Sequence, residues 1–582
     1  MVSASSVSRR PKKVGKNNSR VGLLAVLSVG AVGAAVWFFV ASESRFETQN
    51  PQFLSRRLAA EQGELWGQPA PWLPFPPPAR ICNARARGAI EKLIAATAPE
   101  TSIRLADLES VLVMDPDCVP AMRMAVEAAA RQGALSKLHG TLRGRAERET
   151  LNATAQIGAA IFSDYAGRSG DMLAFLSRAE MLRPDSIGLA ATWADYHRFH
   201  TSPAANGKML DYWKRELARG DDPRTLAHLI GFQAQIPDRT TALATCDRFY
   251  QAAPAYVGAY PARTCLKQAV ELGDEAAVAT YTARLQAGGA APGCPHRWAT
   301  YFGFMAGQAQ ARLEATRTDG QCSQLFPWLR GAALLSQGKQ SVAMAALSGA
   351  ADTPAWVHAA ALALNGKRDE ATGLLQQTNP PPGSGASLLS QLLATDLVET
   401  QGLVALFNPP FPTSMGGHRA QAACGYASRG IVEQSQQFLA QAVSAAPTDP
   451  FVLACQMRWF VLHNDHAAAA AVATRAEELA TKHPYVLTEL AHLRVVQNRC
   501  ADALPLLQSA RLGLPLEPTL YGEIARCLRS EGHASEADKW AQLNESDDDT
   551  WIWLAASGGV VAVLGLTTFM VARRRKSAAR SK

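Results

Sequence analysis

The 582-residue chain has no Walker-type phosphate loop, no Gly-x-Ser-x-Gly elbow, no His-Glu-x-x-His pair and no dinucleotide fingerprint. Each absence removes a reaction class that a short motif can carry: phosphoryl transfer, serine hydrolysis, zinc proteolysis and hydride transfer. There is no Cys-x-x-Cys either, so a thioredoxin-like redox pair, a c-type haem attachment and a zinc knuckle are all without a basis. Acidic residues are missing from both ends. Residues 1–20 and 573–582 carry 12 Lys and Arg and no acids, which leaves 46 basic against 50 acidic side chains in between. The net charge of +8 is therefore a property of the ends, whereas a nucleic-acid binder gathers basic residues on a folded face.

Charge is also missing from two long runs. Residues 21–41 and 550–572 hold no Asp, Glu, Lys or Arg, and 23 apolar residues reach across a bilayer core of ~30 Å. The basic tails lie outside both runs, and Lys and Arg beside a span stay cytoplasmic. Trp37, Trp551 and Trp553 stand at the opposite ends of the runs, where an interfacial aromatic belt is expected. The expectation is an integral membrane protein with both termini cytoplasmic and residues 42–549 across the membrane. Two rival readings concern the ends. The first run can be read as a signal-peptide core, although it exceeds the usual length. Gly558 and Gly559 before an apolar segment and an Arg cluster resemble a carboxy-terminal sorting tag.

All ten cysteines lie between the two runs. An even number in a compartment outside the cytosol reads as disulfides, and chain order gives neighbouring pairs: Cys82 with Cys118, Cys246 with Cys265, Cys294 with Cys322, Cys424 with Cys455, and Cys500 with Cys527. The alternative is that they are small buried apolar residues.

The chain repeats itself with a period of about 34 residues. Ala503, Leu507, Ala510 and Pro515 find their counterparts two periods earlier in Ser435, Leu439, Ala442 and Pro447, with Ala469, Ala473 and Ala476 between and Ala537 and Ala541 after. Leu453, Leu487 and Tyr521 share a second register, as do Ala423, Ala491 and Ala525. Near the start, Leu108, Val111 and Pro116 match Leu176, Ala179 and Pro184, and Ala242, Cys246, Phe249 and Pro254 are followed by Ala276, Thr280 and Ala283. Between about 286 and 417 the period loosens, yet "PWLRGAALLSQGKQSVAMAAL" and "AWVHAAALALNGKRDEATGLL" each read as two helices around a Gly turn.

This pattern of small, large, small and then proline resembles the second helix of the tetratricopeptide repeat, over 418–546 most closely and over 90–285 as well. The resemblance implies an all-α fold, a helical-repeat solenoid in which each helix pair buries its face against the next, and the two uncharged runs place it between two transmembrane helices. The expected organisation is a basic tail at 1–20, a span at 21–41, a Pro-rich linker at 42–81 and an N-terminal repeat block at 82–376. A Pro- and Gly-rich break at 377–417, a C-terminal repeat block at 418–546, a span at 550–572 and a basic tail at 573–582 complete it. The family presents its first helices on a concave face. The ninth-position column there reads Cys424, Arg458, His492 and Arg526, with Arg529 one turn beyond, and such cations suit an acidic peptide or a terminal carboxylate.

Other candidate residues are few. His197/His200 and His463/His466 have metal-ligand spacing but no nearby partners, Cys294 and His296 form a faint Cys-His pair, and Asn152 and Asn544 stand in glycosylation sequons. The function expected is a membrane-tethered scaffold that recruits a protein or acidic peptide on the extracytoplasmic face of a bacterial inner membrane, for envelope assembly, secretion or motility. It needs no cofactor, metal or nucleic acid. The alternative is an enzyme with a site in the irregular 286–417 region.

Overall fold

The computed structural model describes residues 82–543 except 97–102, 200–202, 257–258, 288–294, 309–310, 312–326, 351–352, 379, 381–384 and 481. The described residues are helical and form two compact units: residues to 200 with 212–220, and residues 201–211 with 221 onward. The division falls inside the block expected to run from 82 to 376.

Helix starts and stops follow from local chemistry. Pro223, Pro450, Pro484 and Pro518 each open a first helix, where a missing N–H costs nothing. At two of them an aspartate caps the free amides: Asp222 accepts from Thr225 N at 2.9 Å and Asp449 from Phe451 N at 2.8 Å. The turn from first to second helix needs one residue at positive φ. Gly430, Asn464, Asn498 and Gly532 supply it, one in each successive period, and asparagine is the side chain that tolerates this conformation best after glycine.

The second helices of these four pairs begin at Val432, His466, Cys500 and Ala534, which keep the same period. Ser435, Ala442, Ala469, Ala476, Ala503, Leu507, Ala510 and Ala537 are buried, as the repeat register requires. Leu453, Leu487, Tyr521, Ala423, Ala491 and Ala525 on the first helices are buried too. Small side chains let the helix axes approach, and the large residue fills the space between them.

Where the sequence period weakens, the structure shows a physical cause each time. The Arg239–Ala252 and Glu275–Ala287 helices start slightly more than one period apart, so Ala276, Thr280 and Ala283 face solvent while Thr282 and Leu285 take the core positions. In the first unit a π-helical turn at His139–Arg143 lies between the short helices Leu135–Leu138 and Gly144–Arg148. Such a turn inserts one residue, which puts Ala146 in the core where a strict period from Val111 points to Arg145. The pairs Pro327–Ser336 with Gln340–Ser348 and Ala355–Leu364 with Arg368–Thr378 follow one another at a shorter step, since their first helices have 10 residues each, against 13 or 14 in the C-terminal pairs.

In the first unit the Val119–Arg131 and Ala153–Tyr165 helices form the centre of the core. Two buried polar clusters are built on them. Arg123 pairs with Asp195 and donates to Thr192 Oγ1 at 2.9 Å, and the Tyr165 hydroxyl donates to Glu127 Oε1 at 3.0 Å.

In the second unit, contacts between residues far apart in sequence lock the helix pairs. The Tyr426 hydroxyl donates to Asp238 Oδ2 at 2.7 Å, and Arg239 Nη1 donates to Gln421 Oε1 at 2.9 Å. The Arg239 guanidinium also pairs with Glu271 at 2.7 Å and lies over the Phe411 ring. Burial, with Arg239 beside it, pushes His418 down to about 4, so the imidazole is neutral in this lock. Gly425 is required for the approach, since a Cβ there would collide with the Ile236 carbonyl oxygen. The stretch expected as a break is packed: it holds the helices Gly385–Ala394 and Thr400–Ala405, and Arg511 donates to the Leu397 carbonyl at 3.0 Å.

Four neighbouring cysteine pairs are joined as disulfides: Cys82–Cys118, Cys246–Cys265, Cys424–Cys455 and Cys500–Cys527. Cys294 and Cys322 lie outside the described residues.

The expected membrane setting is corrected. No helix among the described residues is long and apolar enough to cross a membrane. The longest, Pro203–Leu217, has 15 residues and spans roughly 22 Å, short of a ~30 Å bilayer core. The two expected spans, 21–41 and 550–572, and the tails beyond them lie outside the described residues. This finding stands against the expected integral membrane placement, and with it against the lipid bilayer as a partner and the periplasmic setting.

Peptide mapping without reduction should recover the four bridges above, and four pairs of free thiols in non-reducing digests would contradict them; the same map reads Cys294 and Cys322. Gly425→Ala should destabilise the second unit by about 1–3 kcal/mol through the clash with Ile236, measured as a lowered urea midpoint, while Gly430→Ala acts only through its turn.

Candidate functional site

The first helices of the C-terminal pairs, Met415–Ser428, Pro450–Leu462, Pro484–Val496 and Pro518–Ser530, pack in succession. The repeat period sets two columns along them. The ninth-position column is Cys424, Arg458, His492 and Arg526, and the sixth-position column is Gln421, Cys455, Glu489 and Glu523.

The two columns are joined rung by rung. Each ninth-position side chain meets the sixth position of the next first helix. Cys424 reaches Cys455 as a disulfide, Arg458 Nη1 lies 3.8 Å from Glu489 Oε1, and His492 Nδ1 bonds Glu523 Oε1. The helical pitch that brings these positions together is the same in each case, so a covalent bond, an ion pair and a hydrogen bond occupy equivalent places.

Arg526 ends the column. It is exposed, and among the described residues no carboxylate pairs with it. Arg529 points elsewhere and pairs with Asp538 of the Ala534–Ala541 helix at 2.9 Å. Of the four residues expected to form a cationic face, three are thus engaged by acids of this chain and one is open.

The electrostatics of the rungs differ. Glu489 is 7% exposed, and Arg458 opposite it is beyond hydrogen-bond distance, so burial pushes the carboxyl up to about 7. His492 is raised by its bond to Glu523, against the effect of burial. Beside the rungs, the second-position residues Phe451 and Tyr485 bring their rings within 5.3 Å, and His483 lies edge-on to Phe451 at 4.9 Å.

The other candidates are used structurally. His463 stacks on Trp459 with centroids 3.9 Å apart, and its Nδ1 lies 2.7 Å from the Trp459 carbonyl oxygen. His197 stacks with Trp193 and Tyr212 in the first unit. The ligand atoms of Cys82, Asp115 and Cys118 lie within 4.8 Å of one another, and both sulfurs are committed to the disulfide. Asn152 caps the Ala153–Tyr165 helix and donates to Glu149 at 2.8 Å. His200, Cys294, the His296 side chain and Asn544 lie outside the description.

Sequence reasoning found the cations and missed Glu489 and Glu523. The signal was present: the two acids are one period apart, each just ahead of His492 or Arg526, and the separation of Cys424 from Cys455 recurs in both acid–cation pairs.

Glu489 and His492 both have folded values above their ordinary ones. Each contributes stability that is complete at acid pH and is lost as pH rises, for Glu489 between the usual carboxylate range and about 7. Glu489→Gln should therefore stabilise the second unit by ~2–3 kcal/mol at about pH 8 and by little at about pH 5. Urea titrations at the two pH values decide this, and equal midpoints for variant and wild type at the higher pH would refute it.

No protein-family model and no curated protein matches the chain. Among solved structures, the chain is similar to MamA MSR-1 C2, with 16% identity over 39% of this chain and 98% of that one at a TM-score of 0.18. It is similar to the structure described as the APC/C hetero-tetramer Cut9-Hcn1, with 12% identity over 79% and 93% at 0.30. A third, Naa15/Naa10 bound to HypK-THB, gives 14% identity over 80% and 76% at 0.22. Likenesses at these TM-scores carry no argument, and the tetratricopeptide-like reading stands on this chain's own helix pairs, turns and repeat period.

Proposed function

We propose that the chain is a protein-interaction scaffold whose last first helix, Pro518–Ser530, captures a carboxylate from an acidic segment of a partner. The observation that carries this reading is the open end of the rung series. Cys424, Arg458 and His492 are each met by a sixth-position group, whereas Arg526 is exposed with no acid opposite among the described residues. A guanidinium in that place offers a planar pair of donors to a carboxylate.

The rest of the face favours a narrow contact. Glu489 and Glu523 oppose Arg458 and His492, so a long polyanion laid along the whole column would meet acids as well as cations. Capture of a short segment at one end fits this balance. Binding rather than catalysis is also what the helix pairs of the irregular region favour, since Pro327–Ser336 to Arg368–Thr378 continue the repeat at a shorter period.

An acetylated hexaglutamate peptide with a fluorescent label serves as probe. Arg526→Ala should weaken its binding about five- to tenfold and flatten the salt dependence, the size expected for one exposed charge-assisted contact. Arg529→Ala, whose partner is Asp538, should change little. Equal anisotropy curves for wild type and Arg526→Ala would remove Arg526 as the anchor.

A further inference from the structure

We propose that Glu489 is a proton-operated gate on the same face: ionised, it holds the Arg458 guanidinium, and protonated, it releases that cation to the acidic segment that Arg526 captures. This rests on the docking reading above.

The geometry carries it. Glu489 stands on the Pro484–Val496 helix, buried, between a cation of the preceding first helix and an acid of the following one. Its contact with Arg458 is 3.8 Å, a charge attraction without a hydrogen bond, so neutralising the carboxyl removes most of what holds the guanidinium there. The Arg458 side chain is 44% exposed, and a long flexible stem lets its head swing into solvent once released. The equivalent acid on the next rung, Glu523, is instead tied by the His492 ring and keeps its partner.

The charged groups that face Glu489 come from three first helices. Arg458 belongs to the preceding one and His492 to its own, and both favour the ionised form; Glu523 on the following one and Glu517 just ahead of its start both oppose it. From the second helices packed against it, Glu477 is taken by Arg494 at 2.8 Å, and Arg511 lies with Glu399. The outcome of burial against one distant cation is a carboxyl pushed up to about 7, so the gate changes state near neutral pH.

Two consequences follow in charge. Above neutrality Arg458 and Glu489 cancel, and the open Arg526 is the cation on offer. Below it, Arg458 joins Arg526, and the face gains one net positive charge two helix pairs along the column from the anchor. An acidic segment long enough to reach from one to the other is then held at both ends.

The test is the affinity of the full chain for the labelled, acetylated hexaglutamate between about pH 8 and pH 6, where the probe's own carboxylates stay ionised. Wild type should bind about three- to tenfold more tightly at the lower pH, the range that about half to one unit of coupling to a single carboxyl allows. Glu489→Gln should bind at the tighter level throughout. His492→Gln should keep most of the pH response, which separates the gate from the histidine beside it. A wild-type affinity that does not change with pH, or a Glu489→Gln variant with an unaltered slope, overturns the gate and leaves the docking reading standing. No binding at any pH removes the docking reading and the gate with it.

Discussion

The second unit depends on one geometric relation between consecutive first helices: the ninth position of each meets the sixth position of the next. Three chemistries fill it. At Cys424–Cys455 the relation is fixed covalently, at Arg458–Glu489 by charge across 3.8 Å, and at His492–Glu523 by a hydrogen bond. The strength of the rungs changes along the stack while their geometry does not. The covalent rung stands next to the lock made by Asp238, Arg239, Gln421 and Tyr426, where helices remote from one another in sequence meet. The proton-dependent rungs stand toward the end where Arg526 is open.

Repeat stacks of this kind tolerate local changes of period because each helix pair buries its face only against its neighbours. The chain uses that freedom three times. A lengthened step separates Arg239–Ala252 from Glu275–Ala287, a π turn at His139–Arg143 adds one residue in the first unit, and shorter helices contract the step between Pro327 and Arg368. In each case a buried residue still occupies the core position, although a different one from that which a fixed period selects. The constraint on these sequences is therefore the packing site, and the period is its consequence.

The charges of the face illustrate how pairing changes the meaning of a cation. A column of Arg458, His492 and Arg526 by itself describes a surface for polyanions. With Glu489 and Glu523 opposite, it becomes a nearly balanced strip in which, among the described residues, the guanidinium at its end has no acid opposite. Burial then makes one of the acids responsive to pH, because a carboxylate that loses its hydration without gaining a hydrogen bond is costly to ionise.

The helix pairs of the C-terminal repeats were legible from sequence because their signal is local. A small-large-small register at a constant period followed by proline is set within one pair, and Ala503, Leu507 and Ala510 are buried where that pattern puts them. Four of the five expected neighbouring cysteine pairs were legible for the same reason, since a link between adjacent helices spans a short stretch of chain. The membrane placement was read from uncharged runs at the ends, and among the described helices none reaches the length a bilayer requires. What only the tertiary structure decided is which groups face one another across repeats and across the unit. Glu489 and Glu523 opposite the cations, Gly425 against Ile236, and Arg239 over Phe411 depend on helix rotation and on chain returning from far away. A one-residue shift turns a helix by about 100°, enough to move a side chain from one face to another, and no local pattern fixes that angle until the neighbouring helices are in place.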